Sequence, residues 1–198
     1  MADLFITNEF SEIPEIFHSD ATGRLFSNCL VCDCYLLDHG VPYVIEKAIR
    51  NYTNFQNSSD TIFEYAMCLQ CMETFRKQVS EESQQKLDEY MSQRVDFLAR
   101  RQKYVDAENF DVEDWTSNCI VNGKLGHKVE ERQIYCQCDG DKMLFTYMPF
   151  MLSGDAMQEM ANLLSKKTIG EIGDFMNEHF DLSPELKINP VDSPLLIF

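Results

Sequence analysis

Two cysteine pairs, Cys29-Leu30-Val31-Cys32 and Cys68-Leu69-Gln70-Cys71, constrain this chain more than any other feature of its 198 residues. Two residues between cysteines let both sulfurs turn toward one point. Two such pairs supply the four thiolates of a tetrahedral cage, the geometry that structural zinc prefers. The 35 residues between the pairs exceed the roughly 15–20 of the simplest zinc pattern but still form a loop that can close. Each ligand must lose its proton, so metal binding is coupled to local folding and to pH. Cys29, Cys32, Cys68 and Cys71 are therefore the expected ligands, and zinc the expected cofactor. The plainer alternative is four core thiols packed as small apolar side chains. Cys34 offers a third thiol beside the first pair, and could replace Cys32 or stand outside the shell.

The remaining composition narrows the function classes. With 33 Asp and Glu against 17 Lys and Arg, the formal charge is −16. Nucleic-acid binding needs a field of Lys and Arg, and an acidic membrane surface would repel such a chain. The deficit is shared: residues 1–105 carry −6 (10 basic, 16 acidic) and residues 106–198 carry −10 (7 basic, 17 acidic). Neither half is a basic module, although Arg100-Arg101-Gln102-Lys103 is a small patch. A hydrophobic content of 44% suffices for a core, so the chain does not read as an acidic disordered tail. No apolar run reaches the roughly 20 residues of a membrane span. Residues 1–20 carry Asp3, Glu9, Glu12 and Glu15 and no basic start, so no secretory signal is expected. That implies a cytoplasmic protein, in which cysteines persist as thiols or metal ligands.

Along the chain, residues 1–20 read as an extended or weakly helical arm whose Phe5, Phe10, Ile13, Ile16 and Phe17 can dock on a core. Tyr35-Leu36-Leu37 and Val41-Pro42-Tyr43-Val44-Ile45 flank Asp38-His39-Gly40 and predict a hairpin. Asn51–Asp60 reads as a polar loop. Thr61-x-x-Glu64 fits a capping box and predicts a helix running through Cys68 and Cys71 to about Gln78. Ser80 with Glu81 and Glu82 predicts a second helix start. A boundary is expected near Val105, before the acidic stretch Asp106–Asp114 and a junction-anchoring Trp115. Beyond it, Arg132–Cys138 and Lys142–Met148 around Asp139-Gly140-Asp141 predict a hairpin. Helix starts follow at Ser153 and at the capping box Thr168-x-x-Glu171. No internal repeat aligns. The apolar end, Pro194–Phe198, is expected to pack on the core.

The cysteine pattern resembles a treble-clef zinc module over about residues 24–80. The resemblance implies a knuckle at Cys29 and Cys32, a hairpin after it, and Cys68 and Cys71 at the start of a helix. Asp33 stands where a Gly often follows such a knuckle. A second metal site from Cys119, His127, Cys136 and Cys138 remains open, against buried thiols in a sheet. His39 is the best alternative ligand among the histidines. A thioredoxin-like use of Cys68-Leu69-Gln70-Cys71 lacks the preceding buried strand.

These readings together predict an α+β protein. Residues 1–105 form a treble-clef-like zinc part with an arm and long helices, and residues 106–198 a β-hairpin plus two helices. The expected function is that of a non-enzymatic zinc-binding protein with a structural metal, acting through protein partners. Thiol-redox or metal-dependent catalysis is the first alternative and nucleic-acid binding the second.

Overall fold

The computed structural model describes residues 10–52 and 58–180. Phe5 and the 194–198 segment lie outside the described residues. The fold is mixed α+β: one six-stranded antiparallel sheet and six helices. The strands are β1 (Phe10–Glu12), β2 (Pro42–Tyr52), β3 (Ser58–Cys68), β4 (Glu131–Asp139), β5 (Lys142–Leu144) and β6 (Phe150–Ser153). The helices are α1 (Leu69–Arg76), α2 (Glu81–Arg94), α3 (Phe97–Asp106), α4 (Val112–Thr116), α5 (Gly154–Ala161) and α6 (Lys166–His179). The sheet order is β1-β5-β4-β2-β3, with β6 also on β4. Its central ladder, β2 with β4, joins residues 42–50 to residues 131–139, so strands from both sides of the expected 105/106 division share one sheet.

Side chains alternate across this sheet. One face carries Glu46, Phe63, Tyr65 and Tyr135, and α6 covers it through Phe175 and Phe180, which meet Tyr65 at 6.5 and 5.7 Å. The other carries Tyr43, Ile45, Lys47, Cys136 and Cys138, all buried. The arm residues Ile13 and Phe17 are buried as expected, and Phe10 and Ile16 are exposed.

The region Thr61–Cys68 is strand, not helix, and the helix begins only at Leu69. Thr61 and Glu64 do not form a capping box because their side chains reach the N-terminal segment. Thr61 Oγ1 donates to the Asp20 carboxylate, and Glu64 Oε2 accepts the Asp20 N–H at 3.0 Å. Ile62, Phe63 and Tyr65 favour the pleated backbone. The predicted Tyr35–Ile45 hairpin is also replaced. Tyr35 bridges back to Asn28, and Pro42 opens β2, whose hairpin partner is β3. The Asn51–Asp60 stretch is strand at both ends, since β2 runs to Tyr52 and β3 starts at Ser58.

Other starts match the sequence. Ser80 Oγ accepts from Ser83 N–H and Ser153 Oγ from Ala156 N–H, capping α2 and α5. The last helix is capped three residues before the expected Thr168, because Ser165 accepts the Thr168 N–H. The Asp139-Gly140-Asp141 turn joins β4 to β5, but β5 stops at Leu144 and β6 takes up the edge of β4 after Pro149. Trp115 is buried, stacked on Tyr104 at 4.6 Å and edge-on to Phe145 at 5.1 Å. Arg100 donates to the carbonyls of Trp115 and Pro149 at 2.6 and 3.0 Å, and Arg101 to that of Phe145 at 3.2 Å. Two of the three cations in the basic patch are thus structural.

Lys47 is the buried cation of the sheet. Its side chain is 3% exposed, and Nζ donates to His18 O and Asp20 Oδ1 at 2.7 Å and meets Glu64 Oε2 at 3.1 Å. Replacing it by Met leaves two carboxylates without their cation. Lys47→Met is expected to lower stability by about 3 kcal/mol in urea denaturation, the scale for breaking a buried pair on one side. A loss below about 1 kcal/mol would show that the carboxylates rehydrate freely.

Candidate metal centre

Cys29 to Cys34 form a tight turn fastened to the end of β3. Cys29 N–H donates to Cys34 O at 2.9 Å, Asp33 N–H to Cys29 O at 3.0 Å, and Leu30 N–H to Ala66 O at 2.9 Å. Asp33 takes φ 57°, the left-handed region that favours glycine. The Asn28 side chain steadies that residue by donating Nδ2–H to Asp33 O at 3.0 Å. Across from the turn, β3 ends at Cys68, which becomes the N-cap of α1 and puts Cys71 in the first helical turn.

This places the sulfurs of Cys29, Cys32, Cys34 and Cys68 within 4.8 Å of one another. Cys29 and Cys68 are buried, Cys34 is half-buried and Cys32 is exposed. Cys68 N–H donates to Cys29 Sγ at 3.4 Å, and the Cys32 and Cys68 sulfurs stand 3.8 Å apart. A tetrahedron with metal–sulfur bonds of about 2.3 Å has an edge of about 3.8 Å, so this pair already spans one edge of a zinc cage. Cys71, the other thiol of the second pair, stands beside Cys68 and outside this convergent group.

Electrostatics distinguishes the members. The Cys34 N–H points at Cys32 and lowers its thiol to about 7. Burial raises Cys34 to about 12, and the neighbouring Cys32 adds to the effect. Burial likewise raises Cys68 and Cys71. Packed thiols oppose one another's ionisation. A divalent cation among them reverses that balance, because a coordinating thiol is deprotonated outright. The convergent sulfurs of Cys29, Cys32, Cys34 and Cys68 can therefore hold a metal ion.

Spacing left the place of Cys34 open, and the turn brings Cys32 and Cys34 to the same point. The other candidates do not join the cluster. His39 is 95% exposed and 3.9 Å from Asp139. Cys136 and Cys138 lie together on the sheet face with sulfurs 3.7 Å apart, but Cys119 and His127 do not join them. Among the described residues, the Cys29–Cys68 group is the one place where three or more His, Cys, Asp or Glu converge tightly enough for a metal. Of the two readings left open for these residues, buried thiols in a sheet is the one that fits: β4 buries Cys136 and Cys138 in the core while His127 is exposed.

No family model matches the chain, and neither the curated proteins nor the solved structures compared with it yield a match. No helix among the described residues is long and apolar enough to cross a membrane.

Proposed function

We propose that this protein is a metal-stabilised scaffold in which Cys29, Cys32, Cys68 and Cys71 hold a structural zinc ion, and that it acts through protein partners and not by catalysis. The convergence of thiols from the turn and the β3–α1 junction carries this reading. Four thiolates close a tetrahedral shell and leave no position for water or substrate. Cys34, whose sulfur converges on the same point, is the alternative ligand to Cys32. The order of turn, β2–β3 hairpin and helix start supports a treble-clef-type module over residues 24–80, with Cys68 and Cys71 at the helix start. The charge of −16 and the engaged Arg100 and Arg101 disfavour nucleic acid, and a basic protein surface is the complementary partner.

Metal analysis of protein purified without added metal tests this reading. One zinc per chain, with the four ligand thiols unreactive toward a thiol reagent until a chelator is added, is the expected result. Absence of metal together with eight freely titrating thiols would overturn it.

One observation favours a second reading. Cys32 is exposed and its thiol is lowered to about 7, the condition of a nucleophilic cysteine. Rapid alkylation of Cys32 at neutral pH in the protein as purified would point to thiol chemistry, and protection of Cys32 would point to the metal.

A further inference from the structure

The two halves of the sheet end in the same construction. Ser27-Asn28-Cys29-Leu30-Val31 and Ser117-Asn118-Cys119-Ile120-Val121 differ only at Leu30 and Ile120. Both segments fold into one turn. Cys119 N–H donates to Lys124 O, and Gly123 N–H to Cys119 O, each at 2.8 Å, as Cys29 does to Cys34 and Asp33 to Cys29. Asn118 bridges Leu125 as Asn28 bridges Tyr35. Gly123, at φ 70°, takes the left-handed position of Asp33. Ile120 N–H donates to Met151 O at 3.0 Å as Leu30 N–H does to Ala66 O, so each turn is fastened two residues before a helix N-cap, Cys68 or Ser153.

From those caps onward the halves run in step, 85 positions apart. Helix α1 and helix α5 each have 8 residues, and α2 and α6 each have 14. The C-cap N–H groups of Lys77 and Asn162, and of Val95 and Phe180, bond to equivalent carbonyls. The ladders obey the same correspondence. Cys68 lies opposite Tyr43, Ser153 opposite Arg132, and in the β2–β4 ladder Tyr43 faces Cys138 while Arg132 faces Ile49. Helix starts are exchanged reciprocally: Ser80 N–H donates to Thr168 Oγ1 at 3.1 Å and Ser165 N–H to Ser83 Oγ at 2.9 Å. An approximate two-fold axis relates the halves and passes between the Ser80 and Ser165 hydroxyls, 2.9 Å apart, and by the Glu46–Tyr135 pair.

We infer that Cys119, Asn122, Ser153 and Ala156 form a metal-free counterpart of the cysteine centre, in which polar side chains do the fastening that a thiophilic metal does at Cys29, Cys32, Cys68 and Cys71. Asn122 and Ser153 occupy the places of Cys32 and Cys68, whose sulfurs stand 3.8 Å apart, and there Asn122 Nδ2 donates to Ser153 Oγ at 2.9 Å. Lys124, in the place of Cys34, pairs with Asp155 at the start of α5. The turn is thus tied to its helix without an ion, and the chain holds one metal where its architecture has two places. The inference rests on the metal reading for the first centre.

Restoring cysteines tests it. The variant Asn122→Cys/Ser153→Cys/Ala156→Cys, reduced and titrated with cobalt(II), is expected to bind two equivalents with thiolate-type absorption where the native chain binds one. Adding Cys119→Ser should remove the second equivalent alone. A companion variant, Asn122→Cys/Lys124→Cys/Ser153→Cys, places the fourth thiol at the position of Cys34 and not of Cys71. The proposed quartet predicts weaker binding there than in the first variant, and equal binding would overturn the choice of Cys71 over Cys34. Both variants folded by circular dichroism yet binding no more cobalt than the native chain would overturn the inference. A native chain that binds no cobalt would overturn the first metal reading and this inference with it, whereas a native chain that binds one beside folded triple variants that also bind one would overturn this inference alone.

Discussion

Removing the metal is expected to unfasten residues 27–36 and the start of α1 while the equivalent segment at residues 117–126 stays protected. The first turn is held by few backbone bonds: Cys29 to Cys34, Asp33 to Cys29, Leu30 to Ala66 and Leu36 to Ser27. The second has the same set, with Gly126 N–H donating to Ser117 O at 2.8 Å as Leu36 does to Ser27. What differs is the tie from turn to helix, the proposed ion in one and the Asn122–Ser153 bond in the other. A ligand that binds only the folded state adds about 4 kcal/mol at a thousand times its dissociation constant. Chelation should therefore lower the melting temperature by about 10 °C or more, at roughly 2–4 °C per kcal/mol for a chain of this size. Cys29→Ser and Cys68→Ser should behave like the chelated protein and gain nothing from added zinc. Hydrogen exchange read separately for the two turns checks the prediction. Equal loss of protection in both, or an unchanged melting temperature, would sink it.

What was legible beforehand tracks the range of the interactions. Ser80 and Ser153 reveal helices α2 and α5 because a cap bonds within three residues, and Asp139-Gly140-Asp141 reveals its turn for the same reason. The cysteine pairs reveal a thiol cluster that could hold a metal, because the Cys29 and Cys32 spacing turns both sulfurs to one point. Thr61-x-x-Glu64 misleads because its partner is Asp20, some 40 residues away, and local pattern carries no trace of that contact. The inclusion of Cys34 depends on the left-handed turn at Asp33, where the expected glycine is absent. The likeness of the two halves stays hidden behind a shorter second hairpin, a strand interrupted between Leu144 and Phe150, and three replaced ligands. Ser-Asn-Cys followed by an aliphatic residue and Val is the longest run that survives in both, beside single positions such as Ser80 and Ser165 or Met91 and Met176.

Glu46 shows nothing in sequence, sitting between Ile45 and Lys47, yet it should govern how stability varies with pH. Its carboxyl is wholly buried on the helix-facing side of β2 and close to the two-fold axis. Tyr65 Oη donates to Oε2 at 2.5 Å, and the Tyr135 hydroxyl, which donates to Gln133 Oε1, stands 3.3 Å from Oε1. A hydroxyl has one proton, so with Tyr135 committed to Gln133 the Oε1 contact is satisfied when Glu46 is protonated and donates. Burial pushes the group up to about 8, against the pull of the Tyr65 hydroxyl. Between its unfolded value of 4.5 and about 8 the native state holds a proton that the unfolded state has released. Raising the pH across that window therefore destabilises the fold, and the penalty is complete above about 8. At 1.36 kcal/mol per pH unit the full window amounts to about 5 kcal/mol, of which about 4 is lost between pH 5 and pH 9. Glu46→Gln keeps a donor for Tyr135 and an acceptor for Tyr65 without the charge. The variant should match the native chain near pH 5 and exceed its stability by about 4 kcal/mol near pH 9. Urea denaturation of both proteins at the two pH values checks this, and the difference cancels any titration of the metal centre. A native-to-variant difference that stays constant across the window would mean that Glu46 titrates alike in the folded and unfolded chains.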